Sequence, residues 1–178
     1  ASEKEGYIIM RTRIIGTGSC LPEMVVTNDD LSKIMDTSDE WISSRTGIRE
    51  RRLVKEETTA AMSVTAAERA MKNAGVSPQE IDLIIVGTIT GDYVTPSTAC
   101  EVQAAIGADK AVAFDVNAAC SGFMFALHIA DAYLKTGIYR TALILGAETL
   151  SKIMDWNDRS TCVLFGDGAG AAVVRSDE

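Results

Sequence analysis

A single histidine, His128, leaves this 178-residue chain without the donors of a conventional Cys/His zinc set, so no metal site is expected. Its four cysteines, Cys20, Cys100, Cys120 and Cys162, are widely separated and form no CxxC pair. Most of them read as buried thiols, because free cysteine behaves as a small hydrophobe. No apolar run approaches the roughly 20 residues that span a bilayer. The segment from Ala1 to Met10 lacks the basic region, apolar stretch and cleavage site of a secretory signal. A cytoplasmic chain that stays off the membrane is therefore expected. A net charge of -8 argues against general affinity for nucleic acid. There is no linker, low-complexity tract or short repeat, and the length suits one domain with its own core.

What is present is unevenly distributed. Arg45, Arg49, Arg51, Arg52 and Lys55 crowd one short stretch, with Arg11 and Arg13 near the start. Such a cluster is either a solvated surface or a place where phosphates are met.

Apolar runs and helix punctuation alternate along the chain. Arg11 to Thr17 reads as a strand followed by a turn at Gly16-Thr17-Gly18; Pro22 and the missing third glycine make this a poor dinucleotide fingerprint. Asn28 can cap a short helix through Met35. Ser38, ahead of Asp39 and Glu40, opens a second helix that stops at Gly47. Thr58 to Asn73 is a longer helix closed by Gly75, and Ser77-Pro78-Gln79-Glu80 is a capping box. Leu83 to Val86, Ala111 to Val116 and Thr141 to Leu145 read as strands covered on both faces. Thr98 to Ile106 is a helix ended by Gly107. Thr161 to Arg175 reads as two strands around Gly166-Asp167-Gly168. A phosphate loop is disfavoured there, since no lysine and hydroxyl follow the glycines. The alternation implies an α/β fold with a mixed, mainly parallel sheet packed in layers.

The segment Phe114 to Ala119, then Cys120-Ser121-Gly122, then a helix from Ser121 to Leu134, puts a thiol on a sharp strand-to-helix turn. Unpaired N–H groups at a helix start favour a thiolate, and small neighbours leave room for a carbonyl carbon. Cys120 can thus form a thioester. Spacing alone does not settle whether Cys120 is such a nucleophile or a buried structural cysteine. The helix itself is apolar in nearly every direction, interrupted mainly by His128 and Asp131, so it calls for cover on all sides. One sheet covers only one of them.

Several stretches together resemble the β-ketoacyl-[acyl carrier protein] synthases of type III. They are Asp36-Thr37-Ser38-Asp39-Glu40-Trp41, Thr46-Gly47-Ile48-Arg49-Glu50-Arg51, Phe114 to Phe123, Asp158-Arg159-Ser160-Thr161 and Leu164 to Ala171. The resemblance implies a thiolase-like fold of two similar halves, this chain giving the amino-terminal one over residues 10–178, after an extension at 1–9. It also implies that the apolar helix lies between the two halves. Cys120 is then the acylated nucleophile, taking an acyl group from an acyl-CoA before malonyl-[acyl carrier protein] decarboxylates and attacks the thioester. Trp41 and Arg159 would flank the adenine of CoA, and Thr37 and Arg45 would line its path. Thr95, before Pro96, stands where short-primer members often carry phenylalanine in the partner's acyl tunnel, which implies room for primers beyond acetyl. No cofactor other than the CoA thioester substrate is implied, and the assembly implied is a homodimer.

The family completes its site with a histidine and an asparagine from the second half, which this chain lacks. His128 does not substitute, lying about 12 Å along the helix from its start, and is expected to be packed or hydrogen-bonded. Two other functions remain open: a secondary-metabolism paralogue that uses the same cysteine, and a non-catalytic acyl-CoA-binding partner subunit.

Overall fold

The computed structural model describes residues 11–177; the expected extension at 1–9 lies outside the described residues. Five strands form the main sheet in the order β1-β7-β6-β4-β5: β1 (Arg11–Cys20), β4 (Leu83–Gly87), β5 (Val112–Val116), β6 (Thr141–Thr149) and β7 (Asp167–Asp177). A small second sheet pairs β2 (Met24–Thr27) with β3 (Glu50–Leu53). The main sheet is mixed. β4 runs parallel to β5 and β6, while β7 lies antiparallel to both β6 and β1. β7 can follow β6 without a crossover helix because antiparallel neighbours need none.

β4 explains the unbroken apolar run. Leu83 and Ile85 face one core and Ile84 and Val86 the other, following the two-residue alternation of a strand. On one side lie α3 (Thr59–Ala74) and α4 (Thr98–Ile106), on the other α5 (Gly122–Lys135). Each large aliphatic side chain fully buried between these layers contributes about 1.5–3 kcal/mol. A third, smaller core of Leu31, Ile42, Cys162 and Val163 sits beside α1 (Asn28–Leu31) and α2 (Asp39–Thr46). No helix among the described residues is long and apolar enough to cross a membrane.

α2, α3 and α4 close at left-handed Gly47, Gly75 and Gly107 and α2 is capped by Ser38, all as expected, while Thr58 and Ser97 cap α3 and α4. Five local expectations need correction; one is β5, which lies at the sheet edge with its residues exposed or half-buried rather than covered on both faces. Gly16 and Gly18 form no turn but lie inside β1, because α3 passes directly over them: a Cβ on Gly16 would sit 2.5 Å from the Ala74 amide nitrogen. The first helix is capped by Thr27, through a reciprocal box with Asp30, and gives way to turns after Leu31. Asn28 is buried instead. Thr161 to Leu164 is a set of turns, and the glycine-rich tail is the single strand β7, where Gly168 fits under Leu21. β2 and β3 are short strands with no alternation strong enough to announce them.

α5 buries only Gly122, Ala126, Ala130 and Leu134, a stripe at every fourth residue. Met124 and Phe125 are each about half exposed, and Tyr133 nearly so. Beside them, a cleft of about 470 Å³ runs between Phe123 and the sheet residues Ile14, Gly146 and Ala172. An apolar helix face and bare sheet of this kind are unstable in water. Prepared alone, residues 1–178 will therefore self-associate or bind the dye ANS strongly. A monomer with a sharp, cooperative unfolding transition and no dye binding would contradict this.

Candidate active site

Cys120 owes its position to a contact between backbones. Gly87 ends β4 and Gly122 begins α5, and the two lie so close that a Cβ on Gly87 would come 2.6 Å from the Gly122 carbonyl carbon. A side chain on Gly87 would collide with α5, and one on Gly122 would press on the Gly87 Cα at 3.1 Å. Gly146 on β6 makes similar room for Phe123, its Cβ position lying 3.3 Å from the phenylalanine Cβ. The chain leaves β5 at Val116 and must turn onto α5 within a few residues. It does so through a 3-10 turn, Ala119–Ser121, in which Ala119 adopts a φ of 47°. Left-handed backbone costs an alanine about 1–2 kcal/mol, and such strain persists where surrounding packing enforces it.

The turn presents Cys120 outward. Of the four cysteines it alone is exposed; Cys162 is buried, and Cys20 and Cys100 are half-buried. Burial and the neighbouring Asp158 push the Cys162 thiol up, which fits a structural role there. Helices α1 to α4 receive a side-chain cap on their leading N–H groups. Neither the 3-10 turn nor α5 has one, so the amino end beside Cys120 keeps donors for another acceptor.

Two carboxylates fix the loops around this turn. Asp115, on β5, accepts from the Thr98 and Ala99 amides at 2.8 Å each and ties α4 to the strand that delivers Cys120. Glu148, at the end of β6, accepts from the Ile89 amide at 3.0 Å and from the hydroxyls of Thr88 and Thr90. It anchors the start of the loop that carries Tyr93, Val94 and Thr95, all exposed. Neither carboxylate had a signal in the sequence, since single acids at strand ends are commonplace.

Trp41, Arg45 and Arg159 are brought together. The Arg45 guanidinium carbon lies 4.5 Å from the Trp41 ring centre and that of Arg159 5.0 Å away. Arg159 also donates to the carbonyl of Asp36 and pairs with its carboxylate at 3.5 Å. Trp41 is half-buried against the third core, and Ser38, Glu40, Ser44 and Arg45 complete a cleft of about 260 Å³ beside it. Thr37 adjoins Asp36, and its hydroxyl is buried without a protein partner. Among the described residues no hydrogen bond or ring contact links this group to Cys120 or Thr95.

The basic stretch divides. Arg45 stacks, Arg52 donates to the Pro22 carbonyl at 3.1 Å, Arg49 and Lys55 are exposed, and Arg51 is buried. His128 corrects its expectation, being exposed on the bare face of α5 beside Thr12, Leu127 and Asp131 rather than packed or hydrogen-bonded.

A profile of 3-oxoacyl-[acyl-carrier-protein] synthase III matches residues 114–178, the part that carries Cys120 and α5. The β-ketoacyl-[acyl-carrier-protein] synthase III of Clostridium acetobutylicum is 60% identical over 165 residues, which are 93% of this chain and 51% of that protein. The crystal structure of the corresponding synthase from Aquifex aeolicus superposes with a TM-score of 0.93 at 58% identity, over 94% of this chain and 55% of that one. The priming β-ketosynthase of the R1128 polyketide pathway gives 0.92 at 41% identity, over 99% and 53%. The chain spans about half the length of the curated relatives it matches. Its mixed sheet with helices on both faces is the thiolase-like α/β fold of these neighbours. Over the length it spans, the chain is similar in sequence and in fold to the β-ketoacyl-[acyl-carrier-protein] synthases III.

Proposed function

We propose that this chain is the amino-terminal, nucleophile-bearing half-domain of a cytoplasmic enzyme that initiates fatty acid synthesis. The observation that carries this is Cys120. It is the one exposed thiol, held by a strained alanine on a strand-to-helix turn at a helix start with no side-chain cap. In the first stage the Cys120 thiolate attacks the carbonyl carbon of an acyl-CoA, and an acyl–sulfur bond forms at Cys120. The oxyanion is met by the N–H of Cys120, where donors aimed at developing charge have most effect. Its collapse breaks the bond to the CoA sulfur, and CoA leaves as the thiol. In the second stage malonyl-[acyl carrier protein] loses carbon dioxide and its carbanion attacks the acyl carbon. That forms the carbon–carbon bond of 3-ketoacyl-[acyl carrier protein] and frees Cys120.

The second stage needs the family's histidine and asparagine, which we assign to a second half packed on the bare face of α5. No other cofactor enters the scheme. Trp41 and Arg159 supply an aromatic face and a guanidinium for the adenine, with Arg45 and Thr37 along the path of the CoA chain. Thr95 stands at the tip of an exposed loop suited to reach a second copy in a homodimer. A role in secondary metabolism draws on the 41% likeness to a polyketide priming enzyme, but identity near 60% to the synthases of type III favours the first reading.

Intact mass before and after incubation with acetyl-CoA will show one acyl adduct on the complete polypeptide and none on Cys120→Ser. An adduct that survives in the variant would refute the assignment. Gly87→Ala, by displacing the start of α5, will slow acylation at least about tenfold with little change in the acyl-CoA concentration needed; an unchanged rate would remove the glycine contact from the account. Stacking of one base on an aromatic side chain contributes about 1–3 kcal/mol. Trp41→Ala will accordingly raise the acetyl-CoA concentration for half-maximal acylation about tenfold, and an unaltered value would exclude Trp41 from the CoA site. Thr95→Phe will shift preference from octanoyl-CoA towards acetyl-CoA, and equal preferences before and after would dismiss the loop as a determinant of primer length.

A further inference from the structure

Arg51 sits on β3 but points into the third core, with only 6% of its surface exposed. Its Nη1 donates to the Val26 carbonyl at 3.2 Å, and its Nη2 to Asn28 Oδ1 at 2.8 Å and the Val163 carbonyl at 3.2 Å. Its Nε is buried with no partner. Asn28, itself 1% exposed, passes the connection on: its Nδ2 donates to Asp39 Oδ1 at 2.8 Å and to the Ile48 carbonyl at 2.7 Å. Asp39 and Ile48 bracket α2, which bears Trp41 and Arg45. Val163 lies in the set of turns that runs from Arg159 to Leu164, where the Thr161 and Cys162 amides bond back to the Asp158 carbonyl. One buried cation therefore ties together the two segments whose side chains meet at the Trp41 ring.

This arrangement is costly as packing. The guanidinium is surrounded by carbonyl and amide oxygens with no carboxylate among the described residues bonded to it, and burial lowers its pKa from the ordinary arginine value. An apolar side chain of similar volume would fill the space with no desolvation penalty. It would not fix two separate segments at one spacing, which a planar fork with several donors does.

We propose that Arg51, acting through Asn28, is a positioning residue that sets the separation of Trp41 and Arg159 for the nucleotide of the acyl donor. The inference rests on the acyl-CoA reading of that cluster. Its consequence is selective: recognition of the nucleotide depends on Arg51, while chemistry at Cys120 does not.

The test compares Cys120 acylation of the complete enzyme by acetyl-CoA and by acetyl-pantetheine, which has the same thioester arm without the nucleotide. The native enzyme should favour acetyl-CoA at least about tenfold at low concentration. Arg51→Lys keeps the charge but not the fork, and should lose most of that preference while its rate with acetyl-pantetheine stays within about twofold of native. A preference left intact in Arg51→Lys would overturn the proposal. So would an equal fall with both donors, which marks a general structural role. A native enzyme with no preference would overturn the nucleotide reading itself, and the inference with it. If Arg51→Lys does not fold, Asn28→Ser, which cuts only the link to α2, decides by the same ratio. If neither variant folds, the pair determines folding rather than position and the proposal fails.

Discussion

The approach of Gly87 to Gly122 is the constraint on which the site depends. A strand and a helix usually stand apart by the width of their side chains, but here their backbones meet. That contact lets α5 begin where β4 ends and forces the chain between β5 and α5 into a turn tight enough to bend Ala119 into the left-handed region. The same geometry exposes the Cys120 thiol and leaves the first donors of the turn and of α5 without a side-chain cap. Stability is given up at the turn and recovered in the layers around it. Strain of about 1–2 kcal/mol is small against the apolar burial of Leu83, Ile85, Ile144 and Leu134 that holds α5 to the sheet.

The second site depends on a different kind of contact. The packed layers are apolar, but the region around α1 and α2 has few buried aliphatic residues and relies on Arg51, Asn28 and Asp39 to connect its parts. A layered apolar core carries Cys120, and a polar network carries the Trp41 ring and its two guanidiniums. In the proposed reaction Cys120 has to be placed to within fractions of an ångström, because attack on a carbonyl is directional.

Much of this was legible in the residues. Ser38 with Gly47, and the glycines that close α3 and α4, delimit helices by local capping that needs no tertiary context. The run Leu83 to Val86 announced a strand buried on both faces, and Ala118-Ala119-Cys120-Ser121-Gly122 announced the turn. What escaped was set by distant partners. Gly16 and Gly18 signal equally a turn or a close approach, and only the passage of Ala70 and Ala74 over them decides. Arg51 reads as one more surface cation among five, because the Val163 carbonyl that buries it lies 112 residues away. Asn28 resembles a cap beside Thr27, and its true partners, Asp39 and Ile48, open and follow the next helix. Bare faces of α5 are invisible for the opposite reason: the sequence records that the helix is apolar all round, but not which side this chain covers.

The central claim is that the fold builds Cys120 into an acyl acceptor. A crystal structure of the complete enzyme after incubation with an acyl-CoA tests it most directly. The account predicts continuous density from the Cys120 Sγ to an acyl carbon, with the carbonyl oxygen within hydrogen-bond distance of the Cys120 N–H. A free thiol at Cys120, with the acyl group on Cys20 or Cys100 or on no residue, would contradict it.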